Sequence, residues 1–209
     1  MRDTGPGKWK MECNESRMKK ALEDFRYAYR FNKLKNTELI SYRRDSVKEI
    51  AQRNYKKVRD LEDKEIYAIL SRCESLYFTD LTESYDDVAQ LIIKDNPHSL
   101  LSGFIITLAR GRIMARGDYV LELKHMTSDV RTELASLIDP SKYVPLNMFT
   151  RAAFEYLGLP KPGEGFTDFL VFQRHCKELI EPIEDLGILT ADLVTVYEFL
   201  LLTYAKRCK

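Results

Sequence analysis

The fold of this chain is decided by the stretch DSVKEIAQRNYKKVRDLEDKEIYAILSRCESLY, residues 45–77. Its apolar residues recur at steps of three and four, which places one apolar stripe along each of two successive helices. The stripes comprise Val47, Ile50, Ala51, Tyr55, Val58 and Leu61, then Ile66, Ile69, Leu70, Cys73, Leu76 and Tyr77. The second stripe runs on to Asn96-Pro97, where proline lacks the backbone donor that a helix interior requires. The spacing therefore predicts helices over 38–60 and 63–94.

The segments around this stretch also predict helices. Upstream, a first helix begins near Asn14 or Ser16, either of which can cap it. Downstream, Asn96 is expected to cap a fourth helix, and Thr127 or Ser128 a further one that stops at Asp139-Pro140. A short helix over 149–157 is expected to end at Gly158, in the left-handed position that glycine favours.

The last part of the chain is rich in short apolar helices. A helix over 166–180 is predicted, although 166–172 and an earlier segment, 119–125, are each open between strand and helix. Thr190 is expected to cap the final helix, whose apolar residues surround it and predict that it is buried. The chain is thus predicted to be all-α: a flexible leader over 1–13, a domain of long helices over 14–139, and a small helical domain over 146–209.

Composition indicates a folded, soluble chain of 209 residues, with 44% hydrophobic and 31% charged residues. The net charge of +1 hides an asymmetry, because residues 1–60 are strongly basic and 61–100 are acidic. Four dispersed cysteines fit neither a disulfide framework nor a metal knuckle. The start of the chain has no apolar signal run, and the most apolar segment, 194–205, is too short to span a membrane. We expect a cytoplasmic, reducing location.

Candidate catalytic and metal-binding residues are few. His98, His125 and His175 lack the partners and spacing of a metal site or a catalytic pair. The loop 158–165 has two prolines and no Gly-Lys-Ser/Thr, so it is not a phosphate-binding loop. The acidic run 80–87 lacks the glycine and spacing of a calcium loop. We predict no enzyme activity, no metal and no cofactor.

Binding is therefore the predicted function. The stripe expected to meet a partner chain, or a second copy of this one, consists of Ile66, Ile69, Leu70, Cys73, Leu76 and Tyr77. The alternative is a nucleic-acid-binding protein of nucleoprotein or winged-helix type that uses the basic region 17–59, with interleaved tyrosines able to stack on bases. Its candidate surface comprises Arg43, Arg44, Lys48, Arg53, Lys56, Lys57 and Arg59. A third interpretation is that these basic residues only cover the solvated faces of two helices.

Four stretches resemble the GINS family of DNA replication proteins. Residues 25–39 look like the opening helix of an archaeal GINS subunit, 45–57 and 65–81 like its second and third helices, and 126–134 like the start of its closing helix. Residues 145–209 depart from the family, whose small second domain is built of strands. The resemblance implies a non-catalytic subunit of a tetrameric assembly that couples to the MCM helicase, with the 66–77 stripe in the subunit interface.

Overall fold

The computed structural model describes residues 13–51, 59–78, 85–110 and 122–208. Within these ranges it contains helices and no strand, which confirms the all-α prediction. Two 3-10 helices, Leu34–Asn36 and Glu74–Phe78, connect longer elements. The α-helices are α1 (Glu15–Arg30), α2 (Glu38–Ala51), α3 (Asp63–Leu70), α4 (Tyr85–Asp95), α5 (His98–Ala109), α6 (Ser128–Ile138), α7 (Met148–Leu157), α8 (Phe166–Glu178), α9 (Ile180–Glu184) and α10 (Leu193–Arg207).

Helix α10 lies at the centre of the bundle. It packs against α1, α2, α7, α8 and α9, and its buried residues extend from Leu193 to Thr203. The Phe199 ring meets the Phe25 ring edge-to-face, with the centroids 5.6 Å apart, an arrangement that aromatic pairs prefer. A helix apolar on most sides must be enclosed by others, so the sequence of α10 accounts for its position.

The amino-terminal and carboxy-terminal helices share one hydrophobic core. Arg44 of α2 forms an ion pair with Glu198 of α10 at 2.6 Å, and Arg207 near the end of α10 contacts Asp24 of α1. The boundary expected between residues 139 and 146 therefore does not separate two cores. Of the expected leader, residues 1–12 lie outside the described part of the chain.

The long third helix expected over 63–94 is wrong as a continuous element. Helix α3 ends at Leu70, a 3-10 helix follows at Glu74–Phe78, and α4 begins at Tyr85, with 79–84 outside the described residues. The backbone N–H groups of Glu74 and Ser75 each donate to the Glu133 carboxylate of α6, at 2.8 Å. An α-helix would direct these groups to carbonyls four residues earlier. The tertiary hydrogen bonds therefore replace helical ones.

Two of the predicted helix caps, at α1 and α6, are confirmed, and the one predicted for α10 is wrong. The side chains of Asn14 and Thr127 accept hydrogen bonds from the first turns of α1 and α6, as predicted. For α10 the predicted cap, Thr190, is wrong, because Asp192 accepts the bond from the backbone of Thr195 at 2.9 Å. Both residue types are good caps, so the choice depends on where the chain enters the core.

Asn96 has a different role from the predicted one. It does not cap α5, whose cap residue is Pro97. Its side chain instead exchanges two hydrogen bonds with the backbone of Lys124, at 2.6 and 2.9 Å. Of the segment 119–125, left open between strand and helix, residues 122–125 are described and contain a turn at 124–125, while 166–172 belong to α8.

Gly158 makes a sharp chain reversal after α7. Its φ of +70° is left-handed, and a Cβ there would lie 2.8 Å from the backbone nitrogen of Asn14. We predict that Gly158→Ala lowers the free energy of unfolding by at least about 1–2 kcal/mol, because an L-residue is strained in this conformation. Urea unfolding measures the change.

Gly103 supplies the matched control for this substitution. It lies in α5, and a Cβ there would meet no atom within 4 Å. Gly103→Ala is expected to stabilise the chain by about 0.5–1 kcal/mol, since alanine is the better helix former. Equal effects of the two substitutions would contradict the assignment at Gly158.

Candidate functional site

The apolar stripe predicted to meet a partner lies inside the chain's own core. Ile66, Ile69, Leu70 and Cys73 are each 0% exposed, and Leu76 is 1% exposed. The side chain of Tyr77 lies outside the described residues. In this structure the stripe holds α3 and the following 3-10 helix to their neighbours, so a partner does not reach it.

The described residues of the predicted basic surface differ in exposure, since some are buried and others face the solvent. Arg43 is buried, with 5% of its surface exposed, so it is not a surface residue as the sequence suggested. Arg44 is paired with Glu198 at 2.6 and 2.9 Å. Lys48 and Arg59 are exposed, whereas Arg53, Lys56 and Lys57 fall outside the described residues.

Arg43 belongs to a buried charged cluster, formed by Arg43, Glu74, Glu133 and Tyr197. Its guanidinium lies 5.1 Å from the centre of the Tyr197 ring and donates to Ser136 Oγ at 2.5 Å. The Glu133 carboxylate, which is 0% exposed, accepts hydrogen bonds from the backbone of Glu74 and from the backbone and hydroxyl of Ser75. The cluster thereby ties α2, α6 and α10 to the 3-10 helix.

The two glutamates of the cluster differ in how strongly their surroundings raise the pKa. Burial raises the pKa of Glu74 to about 8; the Glu133 charge adds to the rise and the Arg43 charge opposes it. Glu74 accepts one long hydrogen bond, from the Tyr197 hydroxyl at 3.4 Å. Burial also raises the pKa of Glu133, but Arg43 and the bonds from Ser75 and the Glu74 backbone oppose that rise. Hydrogen bonds to a carboxylate favour its ionised form, so Glu133 is the more readily ionised of the two and Glu74 keeps its proton near neutral pH.

A small pocket of about 180 Å³ lies beside this cluster. Arg43, Ser136 and Tyr197 form part of its wall, together with the Arg44–Glu198 pair. Neither buried glutamate lines it, so they present no acid or base to a molecule in the pocket. We interpret the cluster as an element that stabilises the fold.

The exposed basic and aromatic side chains gather instead at the end of α1. We define the α1 patch as the side chains that project from the last turns of α1 and the turn after it: Arg26, Tyr27, Tyr29, Arg30, Phe31, Lys33 and Lys35. The aromatic members are exposed by 45% at Tyr29, 50% at Tyr27 and 61% at Phe31. Tyr27 and Phe31 lie side by side, with their ring centroids 4.8 Å apart, and large exposed rings placed together are typical of a contact surface.

The turn after α1 arranges two of these rings and one cation. Asn32 adopts a left-handed φ of 51°, which turns the chain back over the helix end. Lys33 Nζ then lies 4.6 Å from the Tyr27 ring centre and donates a hydrogen bond to the Tyr27 hydroxyl, with 2.9 Å between the two atoms. The Tyr27 and Phe31 rings lie 4.8 Å apart. The hydrogen bond from Lys33, followed by its charge, lowers the pKa of Tyr27, so the cation and rings form one unit.

The positive charge of the α1 patch is not neutralised within the described residues. The sequence has no carboxylate between Asp24 and Glu38, and Asp24 itself is engaged by Lys206 and Arg207 of α10. No ion pair in the described part of the chain involves the four basic side chains of the patch. The patch therefore attracts negatively charged molecules.

Each of the three histidines is paired with a nearby carboxylate. His98 lies 2.9 Å from Asp63, and His125 lies 2.9 Å from Asp95. His175 is paired with Glu178 one turn later on α8. Within the described ranges no group of three potential metal ligands comes together. The helices of those ranges are all too short or too polar to cross a membrane.

Sequence reasoning missed Glu74, Glu133 and Tyr197. A signal for Glu133 was present, because it occupies an i+3 position on the apolar stripe of α6 that begins at Val130. A charged residue on such a stripe indicates either an exposed edge or a buried pair. Phe31 was also missed, since it falls where the α1 stripe ends.

Comparisons of the chain with protein-family models, with curated proteins and with solved structures find no match. The resemblance to GINS subunits therefore stays a prediction.

Proposed function

We propose that this protein is a non-catalytic binding protein that contacts an anionic partner through the α1 patch. The observation that carries the proposal is the presence of three exposed aromatic rings among four basic side chains that have no carboxylate partner in the described residues. Exposing such rings has a hydration cost that contact with a partner would remove. Unpaired lysines and arginines supply long-range attraction to negative charge.

Both hypotheses from the sequence bear on this proposal. The basic region 17–59 is the surface predicted to bind nucleic acid, and the α1 patch lies in the first half of that region. A subunit of a larger assembly, including a GINS-like replication factor, stays a prediction. Its interface would have to lie outside the buried part of the predicted stripe, residues 66–76, and the α1 patch is the surface that we would assign to it.

Binding to heparin, a sequence-independent polyanion, tests the proposal. We expect the full-length protein to bind it with an affinity that falls steeply as salt is added, because counterions are released on binding. The variant Arg26→Gln/Arg30→Gln should bind about tenfold more weakly, with a smaller salt dependence. Fluorescence anisotropy of labelled heparin measures both quantities.

Lys161→Gln/Lys177→Gln provides the matched control, since both side chains are exposed and lie outside the patch. It removes the same charge and should change the affinity by less than about twofold. If the two double variants weaken binding equally, net charge and not the patch is responsible. No measurable binding at low salt would overturn the proposal.

A further inference from the structure

We infer that the α1 patch binds single-stranded nucleic acid, with unpaired bases stacked on Tyr27 and Phe31 and the phosphates following the basic side chains. This inference rests on the proposed function and names the partner's chemistry. Three features of the patch support it in turn: its rings, its arrangement of charge and the groove that follows it.

The rings of Tyr27 and Phe31 are exposed by 50% and 61%, so a flat ligand reaches them although the Lys33 ammonium lies over one side of the Tyr27 ring. They occupy i and i+4 positions at the end of α1, so both project from the same side of the helix. Their centroids lie 4.8 Å apart, with a tilt of 48° between the planes. This open angle shows that they are not stacked face to face on each other. Stacking of a base on such a ring contributes about 1–3 kcal/mol and does not depend on the base.

The charge of the patch lies around the rings and not apart from them. Arg26 and Arg30 are one turn apart on α1, and Lys33 and Lys35 follow in the turn. A strand with bases on the rings would therefore have cations near its phosphates. An acidic peptide would use the cations but supplies few flat faces for the rings. A duplex keeps its bases stacked inside, where Tyr27 and Phe31 do not reach them.

A groove of about 480 Å³ begins at Asn36, directly after Lys35, the last basic residue of the patch. It is lined by polar groups of Asn36, Thr37 and Glu38 and by the aromatic residues Tyr204 and Phe149. Phe149 is itself buried, and its ring meets that of Tyr204 at 4.9 Å. Amide and hydroxyl groups can pair with base edges. The groove thus places such groups directly after the last basic residue of the patch.

An oligonucleotide without bases separates stacking from charge. We would measure anisotropy with three labelled probes of equal length: oligothymidylate, an abasic oligodeoxynucleotide and a mixed-sequence duplex. The full-length protein should bind oligothymidylate at least about tenfold more tightly than the abasic strand, since stacking of even one or two bases supplies that factor. It should also prefer oligothymidylate to the duplex.

Two variants assign this preference to the rings. Tyr27→Ala/Phe31→Ala should weaken binding of oligothymidylate by about 10- to 100-fold, yet leave binding of the abasic strand and of heparin within about twofold. Leu170→Ala/Leu189→Ala removes two exposed apolar side chains elsewhere and should have no effect. Circular dichroism checks that each variant is folded.

The outcomes distinguish this inference from the proposed function. Heparin binding without preference for oligothymidylate over the abasic strand would overturn the inference and leave the proposed function intact. Binding to polyglutamate but to none of the nucleic acids would identify an acidic protein partner and overturn it likewise. Absence of binding to every polyanion would overturn both.

Discussion

Glu133→Ala is expected to lower the free energy of unfolding by about 3–5 kcal/mol. The substitution leaves the backbone N–H groups of Glu74 and Ser75 without their acceptor and leaves Arg43 buried beside no ionised carboxylate. Unsatisfied buried donors and an uncompensated buried charge are among the largest single destabilising effects known. Since domains of this size are stable by only about 5–15 kcal/mol, the variant is expected to be close to unfolding at 37 °C. Urea unfolding followed by far-ultraviolet circular dichroism measures the loss.

Two further variants test the cause of this loss. Glu133→Gln keeps one acceptor oxygen and removes the charge, so its effect should be smaller than that of alanine. Glu155→Ala removes an exposed glutamate of α7 and should change stability by less than about 0.5 kcal/mol. If Glu133→Ala were as mild as Glu155→Ala, the charged cluster would not hold the 3-10 helix in the way we describe.

Stability should fall as pH rises from about 5 to about 8. The folded chain keeps a proton on Glu74, whose pKa is raised from 4.5 to about 8, whereas the unfolded chain releases it near the ordinary glutamate value. The folded state therefore binds more protons over this range, and the free energy of unfolding decreases with pH. Between the two pKa values, Glu74 lowers the free energy of unfolding by up to about 1.4 kcal/mol per pH unit. This dependence disappears above the pKa of the folded chain.

Glu74→Gln should remove this part of the pH dependence. Glutamine resembles the protonated acid and still accepts a hydrogen bond from Tyr197, so the variant should match the original chain near pH 5 and exceed its stability at pH 8. Chemical unfolding at pH 5, 6, 7 and 8 measures both slopes. An unchanged slope in the variant would show that the proton is held elsewhere.

Local signals in the sequence predicted much of the fold. Asn14 and Thr127 cap helices as expected, and Gly158 ends α7 in the left-handed conformation. These features depend on neighbouring residues, so periodicity and capping rules suffice for them. The break after α3 could not be predicted this way. It depends on Glu133, which lies about sixty residues later and reaches the 3-10 helix only through the tertiary fold.

The candidate site was harder to predict than the fold. Arg30 and Arg43 look alike in the sequence, since both lie on amphipathic helices in the basic amino-terminal region. The structure buries Arg43 against Ser136 and Tyr197 and leaves Arg30 exposed at the end of α1. The packing of α2 against α6 and α10 determines which of its basic residues are buried and which remain exposed to a partner. The hydrophobic pattern of α2 alone does not determine that packing.

Amide chemical shifts, followed during a titration of the isotope-labelled protein with a short heparin oligosaccharide, test the binding surface most directly. We predict that the largest shifts cluster at residues 26–37, with little change in the exposed parts of α8 and α9. Shifts centred on another surface, or none at low salt, would contradict the claim that the end of α1 is where this protein meets its partner.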